Sequence, residues 1–562
     1  MLASSASGVG VVSMSAHQYA YGMHFLWDNV AIAMMTPFIV FFFLPVLYRL
    51  KVTSVFEYLR MRFGSSVGIS ACLIYFFFSQ TLGAVSVYCA AVGMSTMLGA
   101  PLLACNLMVG VIGTSYTALS GLRGVVWADC VQGVVLFSAP FVIIAKILYD
   151  STHTATPLRP LSDISTREYL LRLDTDIRDD ETVWAHAIAT MPFHMVREGM
   201  DQMVAQRFLA ARNISSARRV VWAGATMLMF FISTVSLTAL ALTYWYRDCD
   251  PELAGYITRL DQVVPFYVSE NLENVIGLRG LFLAGLVGAS ISTVSSIINS
   301  HAATFYVDIV APHFELSGRQ AAIVTHFLEV SSGALMTVFA VLVPHIGSAI
   351  RVLMALYSGA SGPFAGMVVA AICLPWANTS GTAVATSLVF ALALWQTVGR
   401  TLSGVEPRRM NTTLLRCTSN ATEAFSVAHD AGASERACTS NGTCAGSVAH
   451  EVIGENGVFL LYQLSSYWCS LMAMVATASL SLALSLIFGQ NSKVGENQRH
   501  CSPIFMRLWM RLGLLPHQTR GALNNASEGF KGDTTEEEVS SMLRLKDFPC
   551  SSILRIPNSA VS

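Results

Sequence analysis

Starting at Gly277, the chain reads GLRGLFLAGLVGASISTVSSIINSHAATFYVDIV. Ser290, Ser292, Thr293, Ser295, Ser296 and Asn299 fall within about three helical turns of an otherwise apolar run. Two chemistries suit that pattern. Small hydroxyl residues let helices pack closely in lipid and bond across one another. Alternatively, two adjacent hydroxyls, joined by carbonyls freed from a broken neighbouring helix, make an oxygen cage for a small hard cation such as sodium, with no carboxylate required. A second polar cluster is His194, Met195, Val196, Arg197, Glu198, Gly199, Met200, Asp201, Gln202, again inside an apolar run. A charge at membrane depth costs about 2.5–3.5 kcal/mol on insertion scales, so Arg197 needs a partner or a purpose. Glu198, Glu329 or snorkelling to the interface would supply the first. A bidentate contact with the carboxylate of an anionic substrate would supply the second.

The elements that position these residues follow from composition. Of 562 residues, 53% are hydrophobic and 12% charged, with a net charge of −1. That excludes a nucleic-acid binder built on a basic surface and a charge-rich disordered chain. It also argues against a water-soluble globule, which could not cover so much apolar surface. The bilayer is the solvent that fits. Twelve candidate spans can be read, at about 3–19, 27–48, 67–90, 101–118, 124–148, 184–204, 220–243, 279–307, 320–344, 350–375, 381–399 and 457–488. In lipid these must be helices. The first, rich in Ser, Ala and Gly, and the sixth, with Pro192 and its charges, are weak. There is no basic n-region of a cleavable signal peptide at the N-terminus. HExxH, GxSxG, zinc-type cysteine spacing and paired intramembrane carboxylates are not seen, so no covalent catalysis is expected.

Short basic links after the second span (Arg49, Lys51, Arg60, Arg62) and the sixth (Arg207, Arg212, Arg218, Arg219) place those links in the cytoplasm. Links after odd spans then lie outside. The long polar link at about 400–456 carries sequons at Asn411, Asn420 and Asn441, which must face the lumen to be glycosylated. The sequon at Asn213 falls inside and should stay bare. Four cysteines fall in outside loops, Cys249, Cys417, Cys438 and Cys444, and allow three pairings. The expected layout is a transmembrane domain over 1–489, with repeat one about 1–149, repeat two about 184–375 and extra helices about 381–489. A cytoplasmic, disordered tail is expected over 490–562.

The two weak spans lie five apart. Interrupted segments at corresponding positions of two halves point to an inverted-repeat transporter with its site near the bilayer midplane. The eighth span then resembles the signature of the sodium:solute symporter family, close to GLPGLFxAxxxSxxLSTxSSxxNSxxxxxxxD, with Arg279 in place of Pro and Asp308 as the final acid. Further matches occur in order along nearly the whole chain. VTSVFEYLRMRFG (52–64) is similar to TxxEYLxxRF. TALSGLRGVVWADCVQ (117–132) is similar to GGLKAVxxTDxxQ, with Ala128 where the family has Thr before Asp129. DQMVAQRFLAARNISSA (201–217) is similar to NQxxxQRxLxAK. CDPELAGYITRLDQVVPFYV (249–268) and the twelfth span resemble the monocarboxylate and multivitamin branch.

The resemblance implies an all-α polytopic membrane protein of about twelve helices with the five-plus-five, leucine-transporter-like fold. The chain begins inside the first repeat helix, so the family's usual leading helix is expected to be lacking. It implies a plasma-membrane symporter that couples sodium influx to uptake of a small organic anion, a monocarboxylate or a vitamin such as biotin or pantothenate. By motif, sodium would be held by Ala3, Ala6, Ala289, Ser292 and Thr293. Substrate-facing positions would be His194, Arg197 and Gln202. The rivals are a sugar or polyol symporter, since the 201–217 stretch is also close to that branch, and a non-transporting sodium-conducting sensor. Partners are then the lipid bilayer and a small-molecule substrate, with no nucleic acid; the oligomeric state is left open.

Overall fold

The computed structural model describes residues 7–153, 158–273, 275–405, 407–414, 417, 458–489 and 494–515, with backbone alone at 120–130, 494 and 496. Among the described residues there are helices and loops and no strand. Ten elements are long and apolar enough to cross a bilayer: His24–Leu50, Ser65–Leu98, Leu102–Leu119, Val131–Ser151, Ile214–Tyr246, Leu278–Val310, Gly318–Ile346, Ala349–Cys373, Thr379–Leu402 and Ser466–Ile487. They correspond to ten of the twelve expected spans.

Of the other two, the sixth is interrupted as its sequence suggests, whereas the first is helical from 8 to 21 among the described residues, with residues 1–6 outside them. The first contains a wide π turn at Gly10–Met14 followed by a helix at Ser15–Tyr21. The sixth alternates π turns at Ala185–Ala189 and Val196–Met200 with a short helix at Met191–Met195. Pro192, at the start of that short helix, brings no N–H to it. Asp201 is extended, and its carboxylate accepts the Met203 N–H at 3.0 Å to start the next helix, Gln202–Leu209.

The fourth and fifth spans differ from expectation in one respect: the backbone between them is helical, giving one element, Leu102–Ser151. It does not run straight. Gly113 packs on Val294 and Val135 on Gly285. Straight, residues 113 and 135 would lie about 33 Å apart, against about 13.5 Å for 285 and 294 on their partner helix. The element therefore bends between those contacts, which keeps its two apolar halves as separate crossings.

The ends of the spans segregate. At one end the link helix Val55–Phe63 gathers the even spans. Gln202 accepts the Val55 N–H at 3.4 Å, Arg60 pairs with Asp308 at 2.8 Å, and Arg62 donates to the carbonyls of Leu374 and Ala377 at 3.0 Å. At the other end the odd spans meet. Met410 N–H donates to Ala20 O (2.7 Å), Met23 N–H to Tyr169 O (2.8 Å), Asp250 N–H to Thr413 O (3.3 Å), and Arg259 to Pro344 O (2.8 Å). Alternating crossings require this separation. The odd end also carries the disulfide Cys249–Cys417; Cys438 and Cys444 lie outside the described residues. Asn411 is exposed beside it, whereas Asn420 and Asn441 lie outside the described residues. Asn213 is at the even end, and its side-chain oxygen caps the seventh span by accepting the Ser216 N–H at 2.8 Å.

The expectation for the tail needs correcting at its start. Residues 494–515 fold onto the even end instead of lacking structure. The helix Pro503–Arg511 follows a buried Cys501, Trp509 donates to Cys373 O at 2.7 Å, and Arg49 holds the Arg499 and Cys501 carbonyls. Its apolar face supplies the reason: Phe505 meets Phe42 and Trp509 meets Trp376. Residues 516–562 lie outside the described residues.

Candidate ion and substrate site

Ala289, Ser292 and Thr293 are all buried on the eighth span. Thr293 Oγ1 donates to the Ala289 carbonyl at 3.2 Å, and Ser295 Oγ to the Ser292 carbonyl at 3.0 Å. The first span approaches the same helix at Leu286 and Ser290. A Cβ on Gly8 would stand 2.6 Å from Ser290 Oγ and 3.3 Å from the Leu286 carbonyl, so only a glycine permits this approach. Helical backbone of the first span at Gly8 thus lies against Leu286 and Ser290 of the eighth. Ala3 and Ala6 lie outside the described residues, so three of the five expected sodium ligands can be placed, and they share one buried turn.

The three expected substrate-facing side chains do not converge on one point. His194 Nε2 stands 3.4 Å from Asp28 Oδ2 and its Nδ1 4.0 Å from Glu198 Oε1. Arg197 is buried and pairs with Asp201 at 2.7 Å, rather than with Glu198 or Glu329, and Tyr75 donates to the same carboxylate at 3.0 Å. Gln202 reaches the link after the second span at Thr53 and Val55. Near Arg197 the walls are aromatic: Phe193 packs on Tyr357 and Tyr357 on Phe78, with ring centroids 4.8 Å apart in each pair.

One feature was not found in the sequence. His186, Thr190, His194 and Glu198 recur every fourth residue along the sixth span, and Asp28 and Thr36 face them from the second. Fourfold spacing puts residues on one helical face, so the signal was present, but the acid partner Asp28 comes from another span. His17 on the first span meets Glu181 at 2.7 Å, and a cavity of about 140 Å³ at the odd end is lined by His17, Glu181, Asp180, Arg351, Arg400 and Tyr467. Burial would raise the Glu181 carboxyl, but the neighbouring His17 and His186 imidazoles override that and hold it well below the usual carboxylate range.

With this geometry in view, similarity to known proteins can be stated. The profile of the sodium:solute symporter family matches residues 1–389. The chain is 27% identical over 526 residues to the sodium-dependent multivitamin transporter of Oryctolagus cuniculus, covering 92% of this chain and 79% of that one. It is 30% identical over 402 residues to the sodium/iodide cotransporter of Homo sapiens, covering 71% of this chain and 62% of that one. It is 28% identical over 411 residues to the sodium-coupled monocarboxylate transporter 1 of Mus musculus, covering 73% and 67%. Among solved structures, a substrate-bound, outward-open Na+-coupled sialic acid symporter superposes with a TM-score of 0.64 at 17% identity, covering 87% of this chain and 88% of that one, which establishes the shared fold. The ordered motifs, the interrupted sixth span and the profile match over most of the chain agree: this protein belongs to the sodium:solute symporter family.

Proposed function

We propose that this protein is a sodium-coupled symporter that imports a small organic anion, a monocarboxylate or a vitamin such as biotin or pantothenate, across the plasma membrane by alternating access. The observation that carries the reading is the close approach of first-span backbone at Gly8 to Leu286 and Ser290, beside the buried Ala289, Ser292 and Thr293. Hard cations favour such oxygens, and a half-broken helix offers carbonyls that a regular helix would keep for itself. Sodium would be co-transported, held by Ala3, Ala6, Ala289, Ser292 and Thr293. An ion that completes its cage in one state only shifts the equilibrium toward that state, so its gradient drives the cycle. The multivitamin and monocarboxylate names of the relatives support an organic carboxylate, with Arg197 as its recognition group and His194 and Gln202 above and below it on the sixth span.

In this reading the even end, the C-terminal segment and the tail are cytoplasmic, and Asn411, Asn420 and Asn441 are glycosylated outside. The test is uptake in cells expressing the full chain, with sodium or potassium in the medium and labelled lactate, biotin, glucose and iodide compared. Sodium-dependent accumulation of lactate or biotin is the expected result. Accumulation of glucose alone would make it a sugar symporter, iodide alone an inorganic-anion carrier, and sodium current with no accumulation a sensor; each overturns the proposal.

A further inference from the structure

The sixth span carries more ionisable groups than anion recognition uses. Glu181, His17, His186, Asp28, His194 and Glu198 are all buried, with side-chain exposure of 4% or less. They form a row of neighbours, hydrogen-bonded at His17–Glu181 and His186–Asp28 and within 4.0 Å of one another at the other links. Glu181 lies 2.7 Å from His17 Nε2 and 3.7 Å from His186 Nε2. His186 Nδ1 lies 3.0 Å from Asp28, Asp28 3.4 Å from His194 Nε2, and His194 Nδ1 4.0 Å from Glu198. Glu198 is anchored by the Thr36 hydroxyl at 3.0 Å. Every imidazole stands near a carboxylate. His17 Nδ1, His186 Nε2, both nitrogens of His194, Glu181 Oε2 and Glu198 Oε1 make no hydrogen bond among the described residues. Seventeen residues separate Glu181 from Glu198, at most about 25 Å of helix, close to the hydrocarbon thickness of a bilayer.

We propose that these six side chains are a proton site: a proton enters from the outer cavity at His17 and Glu181, is handed along His186, Asp28 and His194 to Glu198, and serves as a second coupling ion. Three carboxylates in a dry enclosure need protons on the imidazoles to approach neutrality, and groups this close titrate as one unit, not six. An imidazolium releases a proton from one nitrogen to a neighbouring carboxylate and regains one at the other, so a proton is passed along the row. The proton arrives as H⁺ from outer water and leaves as H⁺ to inner water, and nothing is oxidised or reduced. A metal does not suit the enclosure, since among the described residues no group of three or more His, Cys, Asp or Glu is placed to hold one.

The surroundings favour the same path. Tyr21 and Phe25 cover His17, while Phe25 and Tyr467 cover His186, which keeps bulk water off the series. At the mouth, Asp180 is paired with Arg400, and Arg351 lines the same cavity. His24 lies behind Glu181, with Arg172 beyond it. At the inner end the Arg197–Asp201 pair occupies the next turn and offers the proton no free carboxylate.

The test uses the purified full chain in liposomes holding the pH dye pyranine, with the potential clamped by potassium and valinomycin. An inward sodium gradient is applied with lactate, biotin, glucose or iodide outside, and radiosodium entry is followed in parallel. The interior should acidify several-fold faster than in protein-free vesicles, faster still as the outer pH falls below neutral. His186→Gln and Glu181→Gln should each return acidification to the protein-free rate while the purified variants keep wild-type helicity. Should His186→Gln fail to fold, Glu181→Gln at the mouth carries the test. Acidification no faster than in protein-free vesicles under every condition overturns the proposal, as does acidification unchanged in the variants. Labelled-solute accumulation in the same vesicles reports on the symport reading separately, so the two can fail independently.

Discussion

Ser292 and Thr293 can be tested by removing oxygens without changing shape much. Ser292→Ala together with Thr293→Ala should abolish sodium-dependent uptake while surface expression, read by biotinylation, is unchanged. Retained sodium dependence would exclude the cage. Arg197 poses a subtler question, because the structure gives it Asp201 as a partner. Removing one member of a buried pair leaves the other charge uncompensated, at a cost of about 3–5 kcal/mol. Arg197→Gln should therefore lower thermal stability, and adding Asp201→Asn should restore much of it. If Arg197 also receives the substrate carboxylate, the double variant stays folded and still fails to accumulate lactate or biotin. Recovery of uptake alongside stability would leave the arginine a purely structural role.

At the scale of elements, the first and eighth spans depend on Gly8. An added methyl group would press on Ser290 Oγ and Leu286 Cδ1 at 2.6 and 2.8 Å. Gly8→Ala should destabilise by about 1–3 kcal/mol, as overpacking does, and should raise the sodium concentration needed for half-maximal uptake. A thermal-shift assay and a sodium titration measure the two effects. Most of this architecture was legible in the sequence, because apolar length, basic links and an interrupted sixth span are local signals that lipid enforces strictly. What was not legible is pairing across distance. The Arg197–Asp201 pair, four residues apart, was legible by helix spacing and was overlooked, but nothing local brings His17 and Asp28 to the fourfold row on the sixth span. Nor does composition show that Phe505 and Trp509 in a polar tail have Phe42 and Trp376 waiting for them. The helical continuation between the fourth and fifth spans was missed for a related reason: polar, glycine-containing sequence reads as a turn, but helix geometry can persist through it while the axis bends.

For the whole molecule, the two ends are fastened differently. The even end is clasped by ion pairs and by the segment 494–515, the odd end by the Cys249–Cys417 disulfide and loop-to-loop backbone bonds. A chain ending after residue 515 should keep the thermal stability of the full chain, whereas one ending after residue 489 should lose several degrees, since it strips cover from Trp376 and Phe42. Equal stability of the two truncations would mean that the docked helix contributes nothing. The account as a whole rests on sodium binding to the first and eighth spans, and this needs no knowledge of the solute. Purified protein should unfold at a higher temperature as sodium replaces potassium, saturating with concentration, by about 2.7 kcal/mol of added stability at a hundredfold excess over the dissociation constant. The predicted result is that this stabilisation is present in the wild type and lost in the Ser292→Ala, Thr293→Ala protein. No sodium-specific shift in the wild type, or an equal shift in both proteins, would contradict it.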